Sequence, residues 1–194
     1  MSIRFVYLAS GSPRRRELLQ QMGIPYQLVA ADVDESTRAG QAASAYVSRL
    51  AIAKAEAGWR VSAGPAVLGA DTAVVLDQQI LGKPRDREHA LELLQRLSGR
   101  SHAVLTAVAL RTANATAVRV SHSEVTFRSL STQECLAYWE TGEPLGKAGA
   151  YAIQGFGAAF VARLDGSYSG VMGLPLFETA ELLDGAAVPR WCRS

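Results

Sequence analysis

Two β-forming runs, Ala103 to Leu110 and Ala117 to Phe127, flank the turn Thr112-Ala113-Asn114 and predict a long antiparallel pair. A hairpin of that length excludes a purely parallel, doubly wound sheet. Shorter strands and helices nevertheless alternate on both sides of it. Strands are expected over Ile3–Ala9, Tyr26–Ala31 and Phe160–Leu164. Helices are expected from Ser12-Pro13 to about Met22, over Gln41–Ala57, from the cap Asp86 to Leu97, from the capping-box pair Ser131 and Glu134, and from near Pro175. The fold class is therefore α/β, a mixed sheet with helices around it and a cleft between two lobes. A chain of 194 residues that is 48% hydrophobic fits one domain over residues 1–194.

Composition removes several function classes. Twenty basic against eighteen acidic residues leave a net charge of +2, too balanced for an extended nucleic-acid surface. No apolar run approaches the ~20 residues that span a bilayer. The apolar segment Ile3–Leu8 is short and is followed by Ser12-Pro13-Arg14-Arg15-Arg16, so no secretory signal is read there and a cytoplasmic location is expected. Cys135 and Cys192 form no CxxC pair, and His89, His102 and His122 are widely spaced. Disulfide, zinc and histidine-rich metal centres are not expected. A P-loop, a GxGxxG fingerprint and a GxSxG elbow are all missing from the sequence.

The informative chemistry begins where the first strand runs into the first helix. Ser12 suits the N-cap and Pro13 the first helical position, so Ser10, Arg14 and Arg15 converge on a helix start that favours an anion. Ser10 is either a nucleophile or a phosphate hydrogen-bond donor, and no nearby histidine activates it. Arg14 and Arg15 are either exposed arginines or a phosphate fork; a cation in the first turn opposes the helix dipole unless an anion is present. Only three lysines occur. Lys54 continues the apolar face Ala43, Val47, Leu50, which carries its stem along a core and its head to a cleft edge. Lys83 in Gly82-Lys83-Pro84 and Lys147 in Gly146-Lys147-Ala148 are either turn lysines or phosphate ligands. Asp71 lies in Gly69-Ala70-Asp71-Thr72, either inside one strand from Ala66 to Leu76 or at a bend. Glu35 and Asp71 are each ordinary acids alone; beside a phosphate site they suggest a divalent cation, Mg²⁺ or Mn²⁺, and water activation.

The ordered segments Leu8-Ala9-Ser10-Gly11-Ser12-Pro13-Arg14-Arg15, Glu35, Ala53-Lys54-Ala55, Gly69-Ala70-Asp71-Thr72, Gly82-Lys83-Pro84 and Ala150-Tyr151-Ala152-Ile153-Gln154-Gly155 resemble the Maf family of nucleoside triphosphate pyrophosphatases, over about residues 3–185. That resemblance implies an elongated, largely antiparallel Maf/ITPase-like fold with a deep cleft. It implies a metal-dependent cytoplasmic enzyme, homodimeric, that releases pyrophosphate from a nucleoside triphosphate. Asp71 would accept a proton; Ser10, Arg14, Arg15, Glu35, Lys54 and Lys83 would surround substrate and metal. Arg14, Thr72 and Gln154 match the set of members that resemble dTTP/UTP pyrophosphatases, where those resembling 7-methyl-GTP pyrophosphatases carry Trp, Gln and Glu. A 7-methyl-GTP enzyme and a non-catalytic nucleotide-binding regulator of division are the alternatives.

Overall fold

The computed structural model describes residues 5–62 and 64–191, so the expectations on Ile3 and Cys192 lie outside it. In chain order the elements are β1 (Val6–Leu8), α1 (Pro13–Gln21), β2 (Tyr26–Leu28), α2 (Ala43–Val61), β3 (Ala66–Leu76), β4 (Gln79–Leu81), α3 (Arg87–Leu97), β5 (Ser101–Thr112), β6 (Thr116–Phe127), α4 (Thr132–Glu140), β7 (Val161–Asp165), α5 (Tyr168–Met172) and α6 (Leu176–Gly185). Two 3₁₀ turns cover Ala148–Ala150 and Phe156–Phe160.

One sheet runs in the order β2-β1-β3-β5-β6-β7, with β4 added to β3. The expected hairpin is its spine: β5 and β6 pair from Ser101↔Thr126 to Arg111↔Thr116. Only β1 is parallel to its neighbours, β2 and β3. The mixed, largely antiparallel α/β class therefore holds. The segment around Gly69 does not bend, and β3 pairs with β5 without interruption from Ala66↔Thr112 to Val75↔Ala103. Its other edge is interrupted, because β1 takes Val67 and Leu68 while β4 takes Val74 to Leu76. Residues 69–73 have no strand partner on that edge, and this break in the sheet opens the cleft.

Alternation along β3 decides what the break exposes. Leu68 and Ala70 join a core with Leu8, Leu18, Leu19 and Leu183 from β1, α1 and α6. Val74 and Leu76 point to the same face but join a second core, with Leu93, Leu94, Phe127 and Tyr138. These two clusters are the lobes. Odd-numbered β3 residues face α2, where Ala73 packs with Val47, Ala51 and Ala55.

Two local signals are realised as drawn. The Ser131 and Glu134 side chains form a reciprocal capping box on α4, and Asp86 accepts the His89 N–H at the start of α3. Ser12 sits at the N-cap of α1 but makes no side-chain cap bond; its own N–H donates to Ser10 Oγ instead. The second strand ends at Leu28 instead of Ala31, since its partner β1 ends at Leu8 and the chain turns into α1. Among the described residues no helix is long and apolar enough to cross a membrane.

Candidate active site

The cleft has a volume of about 890 Å³ and wraps around the open edge of β3, so it reaches both faces of the sheet. Asp71 and Thr72 are consecutive and therefore serve opposite faces. On the α2 face, Lys54 Nζ donates to Asp71 Oδ1 at 2.7 Å and lies 2.6 Å from Glu35 Oε1. Lys83 Nζ stands 3.6 Å from Glu35 Oε2. Asp71 and Lys54 are buried, whereas Glu35 remains 46% exposed at its side chain. Burial raises the Asp71 carboxyl above its ordinary range, against the opposing pull of Lys54 and Arg15. Glu35 moves the other way, chiefly because its carboxylate takes the Lys54 hydrogen bond.

Close approach of α2 to β3 makes this contact, and Gly69 permits the approach. A Cβ on Gly69 would lie 2.3 Å from the Ala51 carbonyl oxygen and 2.6 Å from the Ala55 nitrogen, both backbone atoms with little room to move. Gly69→Ala is accordingly expected to cost about 1–3 kcal/mol of stability, as overpacking does, and to lower activity by lifting Lys54 from Asp71. Chemical denaturation together with steady-state turnover checks both effects; wild-type stability would show that the helix can yield.

On the opposite face, buried Arg15 knits distant segments together. Its Nε donates to the Gly173 carbonyl at 2.7 Å, Nη1 to Ser10 Oγ at 2.9 Å and Nη2 to Thr72 Oγ1 at 3.3 Å. Thr106 Oγ1 lies 2.7 Å from the Gly170 carbonyl and 2.9 Å from Thr72 Oγ1. A hydroxyl has one proton and a carbonyl only accepts, so Thr106 donates to Gly170 and Thr72 donates to Thr106. The Thr72 hydroxyl consequently has no donor left for a ligand. Arg14 is only half-buried; its Nε donates to the Met172 carbonyl at 3.2 Å, and no protein acceptor takes its terminal nitrogens among the described residues.

Ser10, Arg14, Arg15, Glu35, Lys54, Asp71, Thr72 and Lys83 all line this cleft. Gln154 does not: it is exposed, one residue beyond Ile153, which does line it. Lys147 also borders the cleft, its Nζ donating to the Leu145 carbonyl. Thr106, Tyr46 and Glu143 take part in the site without a functional signature in the sequence. Glu143 accepts from the Tyr138 hydroxyl and from the Phe156 and Gly157 N–H groups, which ties the Leu145–Lys147 wall to the segment after Gln154. An acid preceding a proline in a Gly-rich stretch gives no local sign of that role.

The description Maf-like protein belongs to a family model that matches residues 5–186. The chain belongs to the Maf family. A dTTP/UTP pyrophosphatase from Methylococcus capsulatus is 56% identical, the match covering 91% of this chain and 88% of that protein. Proteins of the same description from Alkalilimnicola ehrlichii and Aromatoleum aromaticum are 55% and 52% identical, over 92% and 95% of this chain and 91% and 96% of their own.

The acidic groups of this Maf protein fit a divalent cation only when other ligands complete its shell. Among the described residues no group of three or more His, Cys, Asp or Glu side chains could hold a metal by itself. Glu35 and Asp71 instead flank one ammonium, so their carboxylates are near neighbours. Magnesium commonly binds through one or two carboxylates, with phosphate oxygens and water completing its shell. This pair suits that mode.

Proposed function

We propose that this Maf protein hydrolyses dTTP and UTP to the monophosphate and pyrophosphate, with the whole chain acting as one Maf-like domain. The observation that carries the reading is a buried carboxylate, Asp71, inside a cleft that also holds Ser10, Arg14, Arg15, Lys54 and Lys83. An aspartate near its unperturbed pKa of ~3.9 is a weak base; burial strengthens this one. Lys54 occupies Oδ1, and Oδ2 has no protein hydrogen bond among the described residues, so Oδ2 is the atom available to a water proton.

In the proposed reaction a water oxygen attacks the α-phosphorus and passes its proton to Asp71. The bond from that phosphorus to the bridging oxygen breaks, and the pyrophosphate leaves with the electron pair. Glu35 and Asp71 would hold Mg²⁺ or Mn²⁺, which when bound neutralises phosphate charge and acidifies water. Lys83 and the free terminal nitrogens of Arg14 offer donors to phosphate oxygens, while Ser10 is held by Arg15 at the helix start. Val104, Ile153 and Met172 give the cleft an apolar part suited to a base. Base selection is assigned to Arg14, Thr72 and Gln154 by family likeness. The hydroxyl bookkeeping supports an indirect role for Thr72, through the placement of Arg15.

The same reading takes the protein to be a cytoplasmic homodimer acting on free nucleotide. Exposed Tyr168 and Phe177, on α5 and α6, are apolar surface that such an assembly would cover.

A panel of nucleoside triphosphates with Mg²⁺ or Mn²⁺, resolving mono- and diphosphate, phosphate and pyrophosphate, tests the proposal. dTTP and UTP are expected to give monophosphate and pyrophosphate fastest, with CTP, purine triphosphates and 7-methyl-GTP slower and all turnover lost in excess EDTA. Diphosphate and orthophosphate as first products would defeat the reading.

A further inference from the structure

Glu35 lies in a stretch, residues 29–42, that has no helix or strand, and most of it is exposed. A segment of that kind holds a side chain in place only if its backbone is tethered, since each unrestrained residue retains about 1–2 kcal/mol of conformational entropy. Three consecutive carbonyls around Glu35 are in fact captured by α2. Tyr46 Oη donates to the Glu35 carbonyl at 2.9 Å. Arg49 Nη2 donates to the Ser36 carbonyl at 2.8 Å, and Nη1 lies 3.4 Å from that of Asp34. The Arg49 guanidinium also rests over the Tyr46 ring, 5.5 Å from its centroid. The Asp34 carboxylate closes the segment on itself by accepting from the Ser36 N–H and hydroxyl, each at 2.9 Å.

Lys54 stands eight residues after Tyr46, about two turns further along the same helix. One helix thus grips Glu35 at both ends, its carbonyl through Tyr46 and its carboxylate through Lys54. Asp71 is registered to that helix by the same lysine.

We infer that Tyr46 and Arg49 are positioning residues that set the separation between the Glu35 and Asp71 carboxylates, and through it the affinity of the site for a divalent cation brought by the triphosphate. The inference rests on the proposed pyrophosphatase reading. Tyr46 borders the cleft, but the hydrogen bonds of both side chains to this segment go to backbone carbonyls and not to the Glu35 or Asp71 carboxylates. Their effect is to make the Glu35 carboxylate available without a further ordering cost when substrate arrives.

Tyr46→Phe keeps the ring and its contact with Arg49 and removes a single hydroxyl. Two measurements on the full chain test the inference. Amide exchange at Ser36, whose N–H is held by the Asp34 carboxylate, is expected to quicken about three- to tenfold, the range one neutral hydrogen bond is worth, while exchange within α2 stays as in the wild type. The Mg²⁺ concentration for half-maximal dTTP turnover is expected to rise by a similar factor, with kcat at saturating Mg²⁺ nearly unchanged. Arg49→Lys, which keeps the charge and loses the fork, is expected to move both readouts the same way and serves if Tyr46→Phe folds poorly. Unchanged exchange, or a kcat loss that no Mg²⁺ concentration repairs, would overturn the inference. If the wild-type protein itself releases no pyrophosphate, the functional reading fails, and the role in cation affinity fails with it.

Discussion

Asp71→Asn is expected to lower dTTP turnover by roughly 10²-fold or more, the scale of general acid–base contributions, without lowering stability. The substitution nearly preserves volume and removes the one carboxylate oxygen that no protein donor occupies. Its stability consequence has a definite sign. Burial raises the Asp71 pKa above its unfolded value even with Lys54 and Arg15 opposing. The folded protein then binds this proton more tightly than the unfolded chain does. The corresponding stability is fully present below the unfolded pKa of ~3.9 and is lost as pH rises through the folded pKa. At neutral pH the ionised carboxylate is therefore a net cost, and asparagine does not carry it. Lys54 keeps its 2.6 Å partner Glu35. Thermal melts near pH 7.5 are expected to match or exceed the wild type while kcat collapses, a separation of activity from stability common at catalytic sites. Near-wild-type kcat in folded Asp71→Asn would remove Asp71 from the chemistry.

The parts of this fold that the sequence makes legible are those with local causes. The β5–β6 hairpin follows from two long β-forming runs, and the caps at Asp86 and Ser131 follow from side chains that satisfy N–H groups three residues on. Gly69 is a different case. In sequence it marks either a bend or a straight strand; in the structure it is a small-residue contact with a helix backbone, and the reason lies in Ala51 and Ala55. Arg15 is similar. A cation in the first helical turn argues for a bound anion, yet much of this guanidinium is committed to Ser10, Thr72 and a carbonyl 158 residues away. Five-residue α5 has no helical signature in the sequence because Gly170 interrupts its pattern, although its Gly170 carbonyl anchors the Thr106–Thr72–Arg15 chain. Candidate acids and bases can thus be read from residue type and motif, although Asp71 sits inside β3 and Glu35 in an irregular stretch beyond β2. Their mutual orientation comes from side chains on other elements and has no local signature.

Lys54→Met tests that orientation directly, and its effect is expected to depend on pH. Methionine fills the buried stem volume but supplies no charge, so the Asp71 carboxylate loses its hydrogen-bonded partner at 2.7 Å. Burial then acts on Asp71 with only Arg15 opposing it, and its pKa rises further. The Glu35 pKa, held low mainly by Lys54, relaxes upward. In the wild type a depressed Glu35 pKa contributes stability present above the unfolded value and lost as pH falls through the folded one; the variant forfeits that contribution. The added rise at Asp71 has the opposite dependence, leaving the variant least burdened in acid. Both shifts make the stability gap between wild type and Lys54→Met widen from acid toward neutral pH. Its neutral limit is about 3 kcal/mol or less, the low end for breaking a buried pair, because Glu35 is exposed enough to share its charge with water. Turnover at pH 7 is expected to fall about 10²- to 10³-fold, as when one preorganised electrostatic donor is removed, and the acid limb of the pH–rate profile is expected to move to higher pH. Denaturation and pH–rate measurements across pH 5–9 provide the check: an acid limb that stays in place, or a stability gap independent of pH, would mean that Lys54 does not tune Asp71.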